Sequence, residues 1–330
     1  MIRSFDWRDV RLVKALSEQG VCLDSETGLT RGTRSLRNAL LDYLMPGTGA
    51  PTLVWRADAH NGGRKTTEHA NGNTAFGQLH HRPGSEQARI LLIAPKCSAS
   101  PEGWLKVSAQ LAAAAGERGA HHLLAEVAED SAEFASLRAA GFATYARQSL
   151  WKLSGPARAA AAPALLRAAT HADGFGVSTL YANVVPRLVQ QVEPPPAHMG
   201  GGYVLTQGGE VIAYLDVRRG PLGVWVEPCL HPEAYDLSEA VLHTGLQLIA
   251  EQTPKPVYVC VRRYHDWLVE ILERAGFESM GSQAVLVKRL TARVTEPILK
   301  PMPVVEGRAP RPIARINITG RDDERATAQR

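Results

Sequence analysis

Cysteine is scarce: Cys22, Cys97, Cys229 and Cys260 lie far apart, with no CxxC pair and no Cys/His cluster of metal-site spacing. A disulfide framework and a zinc site of familiar spacing are thereby set aside, and reduced thiols are the expectation. Cys260 reads as a small core residue of a strand and Cys97 as an exposed loop residue after one. Long hydrophobic runs are missing as well. No stretch approaches the roughly 20 apolar residues that a membrane span needs, and no N-terminal apolar segment has the form of a signal peptide. A soluble, cytoplasmic protein without a membrane partner is expected. Charge of one sign is also lacking, because the net charge is only +4 and residues 291–330 supply eight Arg or Lys against five Asp or Glu. The remainder is close to neutral and offers neither a basic helix nor an aromatic-basic platform, so no nucleic-acid partner is expected.

What is present is a phrase that occurs twice. Residues 137–142 read LRAAGF and residues 272–277 read LERAGF, with their glycines 135 residues apart (276 − 141). Each copy ends a helical run, follows a short apolar run and precedes a strand-like run, so the order strand, helix, strand, helix, glycine, strand is duplicated. Pro95 and Pro228 close the matching first strands, 133 residues apart (228 − 95). Gly141 and Gly276 stand where a helix must end in a left-handed conformation, which a residue without Cβ adopts at little cost. The phrase is structural and receives no catalytic role.

A chain of 330 residues with ordinary apolar content accommodates two domains. The expected division is 1–153, a linker at 154–169, 170–294, and a tail at 295–330 that is too polar and proline-rich to fold alone. Within the first half, helices are expected over 7–19 and 35–43, and strands over 52–57 and 74–81 flank a polar, glycine-rich loop. His60 and His69 in that loop, with His80 and His81 after it, have no metal-ligand spacing. First-copy elements follow at 88–95, 101–116, 121–127, 131–140 and 142–153. The second half opens with a helix over 175–192 broken near Pro186, then a hairpin turning at Gly208 and Gly209. Its copy of the unit comprises strands 223–229, 256–261 and 283–290 with helices 237–251 and 266–275.

Two helices, an antiparallel meander, a strand ending in IAP or VEP, a helix, a strand, a helix ending in AGF and a final strand form an order that resembles the GNAT acetyltransferase superfamily. The resemblance covers about 1–153 and again about 170–292. It implies an α/β, mixed α+β fold: two GNAT-like domains, each a mostly antiparallel mixed sheet flanked by helices. It also implies acetyl-CoA or another acyl-CoA as cofactor, no metal, and a small-molecule or protein amine as acceptor. In such a protein the cofactor lies where the fourth and fifth strands splay, which here points to Ile93, Ala94 and Pro95 and to Val226 and Pro228.

The family's phosphate loop, R-G-x-G-x-G, places backbone N–H groups at a helix N-terminus. Counted from Pro95, its arginine position is Ser98 and its glycine positions are Ala99, Pro101 and Gly103; counted from Pro228, they are His231, Pro232, Ala234 and Asp236. Only Gly103 survives. Pro101 removes an N–H donor. Ser100-Pro101-Glu102 reads as a capped first turn, and Asp236 with Glu239 has capping-box spacing. Both loops are thus expected to satisfy themselves. The family's general acid, a tyrosine four residues before the AGF glycine, is replaced by Leu137 and Leu272. Tyr145, Tyr264 and His265 are the alternative proton donors, and Glu227 is the candidate base for an amine. Two functions remain open: an acyl-CoA-dependent N-acyltransferase, or a non-catalytic GNAT-like module that binds a ligand or protein.

Overall fold

The computed structural model describes residues 1–45, 50–57, 73–155, 166–196 and 200–290. The expected loop at 58–72, most of the linker and the tail lie outside these residues. The first half runs β1 (Ile2–Ser4), α1 (Val10–Ser17), β2 (Val21–Cys22), α2 (Ser25–Arg31), α3 (Ser35–Leu44), β3 (Thr52–Arg56), β4 (Thr74–His81), β5 (Gln87–Ala94), α4 (Pro101–Glu117), β6 (His122–Val127), α5 (Ala132–Ala139) and β7 (Ala143–Leu153). The second runs β8 (Arg167–Ala168), α6 (Gly174–Val184), α7 (Arg187–Gln190), β9 (Tyr203–Gln207), β10 (Glu210–Arg219), β11 (Val224–Leu230), α8 (Ser238–Ala250), β12 (Val257–Arg262), α9 (Val269–Arg274) and β13 (Glu278–Arg289).

The repeated phrase does what its glycines require. Gly141 and Gly276 have φ of 87° and 89°. The following N–H groups, of Phe142 and Phe277, reach back to Leu137 O and Leu272 O at 3.1 and 3.0 Å. Each is a Schellman-type helix end, and each phenylalanine is driven into the core beside its helix.

Sheet order is β1-β3-β4-β5-β6-β13-β7-β12-β11-β10-β9-β8, with β2 pairing β5 off that path. Only β5–β6 and β11–β12 are parallel among the described pairs. The two halves therefore do not close separate sheets. Each sends its last strand across to the other: β13 pairs with β6, and β7 pairs with β12. Ala284 and Leu286 of β13 complete the first half's core, while Trp151 and Leu153 of β7 complete the second's. The described residues accordingly belong to one compact unit, Met1–Arg293.

The sheet is continuous yet symmetric. Gln148 on β7 faces Gln283 on β13, and this pair is separated by 135 residues, the repeat offset itself. Moving outward, Ser149–Ser282 is matched by Arg147–Ala284, Leu150–Gly281 by Ala146–Val285, and Lys152–Glu278 by Ala143–Val287. Even the residues skipped by the ladder, Tyr145 and Met280, are related by the same offset. An approximate two-fold axis passes through the Gln148–Gln283 pair, as a duplicated unit requires.

Three local expectations need correction. Strand β11 does not close at Pro228 but continues to Leu230. The helix expected over 266–275 is a 3-10 turn, Arg263–Leu268, leading into the short α9, because His265 leaves the helical region. Cys97 is buried rather than exposed; all four cysteines are free.

Candidate functional site: two splayed clefts

Strands β5 and β6 pair only over Gln87–Arg89 with His122–Leu124, then diverge. The register shift between β4 and β5 near Leu79 lies next to the divergence. The gap is filled by the chain itself. Val21 pairs with Ile93 and Cys22 with Leu92. Leu23 N–H donates to Leu91 O at 3.0 Å, and Leu23 O accepts from Glu126 N–H at 2.9 Å. One residue thus joins both lips of the cleft, and its side chain belongs to the first-half core. Gly20 permits the close approach, since a Cβ there would lie 2.9 Å from Leu92 Cδ1.

Charges lock this wedge. Asp24 caps α2 by accepting from Thr27 N–H and Thr27 Oγ1–H, at 3.4 and 2.7 Å, and lies 3.6 Å from His80 Nδ1. Glu126 accepts from Ser25 N–H at 2.9 Å and from Arg89 Nη1–H at 3.0 Å. Burial opposes charge on Asp24, but His80, Arg89 and Thr27 outweigh it and hold the carboxyl at about 2.

The second cleft opens where β11 and β12 part, beyond Val224–Val226 and Val257–Val259. Side chains span it. Arg262 Nε–H donates to Glu227 Oε1 at 3.1 Å, and Arg262 Nη2 donates to both oxygens of Glu193 at 2.9 and 2.8 Å. Tyr145 OH donates to Glu193 as well, and Arg218 lies 3.6 Å from Glu227. Farther along, His265 Nε2 stands 3.2 Å from Leu230 N and 3.1 Å from Leu230 O. Burial holds His265 below the usual imidazole range. Strand alternation turns residue 228 toward this gap, since the N–H groups of Val224 and Leu230 both point to the β12 side, Val224 to Pro256 O and Leu230 to His265. At 228 the residue is proline, so no N–H is offered there.

Of the four sequence-predicted candidates, Glu227 is bonded to Arg262, Tyr145 is joined to it through Glu193, Tyr264 packs against the cluster around Tyr145, and His265 stands apart at Leu230. Their chemistry is that of a fixed network. Burial opposes charge on Glu227, but Arg262 and Arg218 overcome it and keep the carboxyl below its usual range, which makes it a weak base. Burial and the neighbouring Glu193 push the Tyr145 phenol well up, and burial does the same to Tyr264, so both are weaker acids than free tyrosine. Tyr264 packs against the cluster containing Tyr145, Val185, Val189 and Val285. Sequence reasoning missed Leu23, Glu193 and Arg262. The first sits beside a two-residue strand too short to signal itself, and the ion pairs join residues 35 and 69 positions apart.

No protein-family model and no curated protein matches the sequence. Among solved structures, a GCN5-related N-acetyltransferase (GNAT) from Sphaerobacter thermophilus is similar at 12% identity, over 88% of this chain and 95% of that one, with a TM-score of 0.53. A tandem GNAT protein from the clavulanic acid biosynthesis pathway is similar at 16% identity, over 88% and 98%, with a TM-score of 0.49. A putative acetyltransferase from Pyrococcus horikoshii is similar at 12% identity, over 88% and 90%, with a TM-score of 0.46. The chain carries the GNAT fold. The Sphaerobacter structure and the duplicated strand order carry that assignment.

In the GNAT frame the two loops after β5 and β11 would have to receive a pyrophosphate, and the residues present do not fit one. In the first, Cys97–Ala99 form a 3-10 turn, and Cys97 N–H is taken by Glu133 Oε1 at 3.0 Å. A resident carboxylate there repels an incoming anion. Ser98 is exposed on this turn, Ser100 is the N-cap of α4 but its side chain makes no capping hydrogen bond, and Pro95 O accepts from Trp104 Nε1–H at 2.7 Å. Gly103 is a packing glycine: its missing Cβ would lie 2.4 Å from Ser100 Oγ and 2.7 Å from Ala75 Cβ. In the second loop the expected Asp236–Glu239 capping box does not form. A 3-10 turn, Pro232–Leu237, runs directly into α8, leaving no separate helix end at Asp236, and Glu239 instead accepts from Arg274 at 3.0 Å. The turn begins with His231, whose Nδ1 accepts from Glu233 N–H at 3.3 Å.

Ile93 and Ala94 are engaged by Val21 and Phe76, and Val226 by Val217 and Val259. Among the described residues no group of three His, Cys, Asp or Glu side chains could hold a metal, and no helix is long and apolar enough to cross a membrane.

Proposed function

We propose that this protein is a GNAT-fold binding or scaffold module and not an acyl-CoA-dependent N-acyltransferase. The observation that carries this reading is Leu23, whose backbone bonds both lips of the first cleft and occupies the edge that an acyl-CoA arm would pair with. In the second cleft, Pro228 and the Leu230–His265 contact remove the equivalent donors, and Glu227 and Tyr145 are committed to Arg262 and Glu193. The boundaries 1–153 and 170–294 then mark units of descent that have come to depend on each other's final strand. A cytoplasmic location is part of this reading.

Titration of the full chain with acetyl-CoA tests it. No saturable heat is expected up to millimolar ligand, a range corresponding to binding weaker than about −4 kcal/mol. Micromolar binding together with CoA thiol release in the presence of any amine from a broad panel would establish the transferase reading instead.

A further inference from the structure

The two halves open with the same device and then differ on their outer surface. In each, a buried aspartate accepts from the N–H three residues before it and is held by an arginine: Asp9 with Arg3, and Asp173 with Arg167. These positions are 164 residues apart (173 − 9, 167 − 3), and so are the starts of α6 and α1 (174 − 10). By that offset Trp7, Arg8, Arg11 and Lys14 stand where the second half has His171, Ala172, Phe175 and Ser178. The scaffold therefore does not require cations along this helix.

Helices α1 and α3 lie antiparallel. Phe5, ahead of α1, meets Tyr43 near the end of α3 with ring centroids 6.1 Å apart, while Ser17 and Glu18 at the other end adjoin Arg34 and Arg37. Val13, Leu16 and Ala39 on their inner faces pack with Val54, Phe76, Leu91 and Leu92 of the sheet, so the outer faces form one surface. It exposes Arg8, Arg11, Lys14, Arg34 and Arg37 against Glu18 as its one exposed carboxylate, Asp6 and Asp42 being half-buried. Of these cations only Arg8 approaches a carboxylate among the described residues, Asp6 at 4.0 Å. At one end stand Trp7, 62% exposed, and Leu44, 70% exposed, with Tyr43 and Met45 exposed beside them.

We infer that this surface docks on a bilayer carrying anionic lipids. Cations spread along two helices match the laterally continuous negative charge of lipid headgroups. The projecting apolar side chains suit insertion at the headgroup boundary, while Arg and Lys stay at the phosphates. An acidic protein would need a socket for each projecting group, whereas a bilayer accepts them in any arrangement. Docking of this kind needs no spanning helix, so the shortness of the apolar runs does not oppose it. It is also independent of how the two clefts are read.

The full-length protein is sedimented with vesicles of phosphatidylcholine alone, and of phosphatidylcholine with about 40% phosphatidylserine, at low and at physiological salt. Partition onto the anionic vesicles only, weakening with salt, is expected. Arg8→Gln, Arg11→Gln and Lys14→Gln combined should lower the partition coefficient at least about tenfold. Trp7→Ser with Leu44→Ser should lower it by a similar factor and leave its salt dependence intact. Phe175→Ser, at the duplicate of Arg11 and 86% exposed, should change neither. All these positions are exposed, and unchanged thermal midpoints confirm that the variants fold. No partition onto anionic vesicles, equal partition onto neutral ones, indifference to the Trp7–Leu44 pair, or an equal loss from Phe175→Ser would overturn the inference. Saturable binding of a poly-glutamate chain without vesicle partition would assign the face to an acidic protein instead.

Discussion

The two clefts descend from one plan and have been closed by different means. In the first, a piece of backbone fills the gap and pairs with both strands, so the closure is a short extension of the sheet. In the second, no strand of the described residues pairs between β11 and β12, and a buried guanidinium holds the strands through the carboxylates of Glu193 and Glu227. Backbone closure depends first on apolar packing and ladder hydrogen bonds, with the Asp24 and Glu126 carboxylates fixing the wedge from its flank, whereas ionic closure depends on every charge keeping its partner. The same fold has thus reached similar closure through terms that respond differently to mutation and to acid.

That contrast can be broken most sharply at Arg262. Replacing it with methionine leaves Glu193 without its bidentate cation and Glu227 with only Arg218, 3.6 Å away, and a loss of about 3–5 kcal/mol is expected in urea unfolding. Adding Glu193→Gln and Glu227→Gln should recover much of it, because the cost comes from the unpaired carboxylates. A loss below 1 kcal/mol for Arg262→Met alone would show that the pairs are not the closing element. Next comes Leu23→Ala, which keeps the backbone bridge but removes packing from the core. About 2–4 kcal/mol should be lost, with no comparable recovery from any charge change.

The smallest effect is the pH dependence of the first cleft. Asp24 is held near 2 in the folded state against an ordinary 3.8, so its contribution is complete above the unfolded value and disappears as pH falls through the folded one. Relative to Asp24→Asn, the native protein should lose roughly 2 kcal/mol as pH drops from about 5 to 2. Equal acid sensitivity of the two proteins would remove Asp24 from the lock.

The fold was largely legible because the duplicated phrase, the proline-ended strands and the apolar periodicities are local signals. Helix α3 and strands β3 and β4 stand within a residue or so of where periodicity places them. Strand exchange was not legible, since alternation along β7 and β13 says which residues are buried and not against whose core. The sites divide in the same way. The lost glycines after Pro95 and Pro228 can be read directly, but Leu23 carries no local mark, and Arg262 meets Glu193 only once α7 and β12 are packed. The capping box at Asp236 misled because spacing alone cannot tell a helix start from the interior of a 3-10 turn that flows into one.

The exchange of final strands also fixes what a break in the chain would do. If the peptide were cut between β7 and β8, each fragment would hold a strand belonging in the other's interior, so neither could be rid of its counterpart without exposing its own core. The two pieces should remain associated after cleavage and reassemble from the mixture, while either one alone should come out of solution.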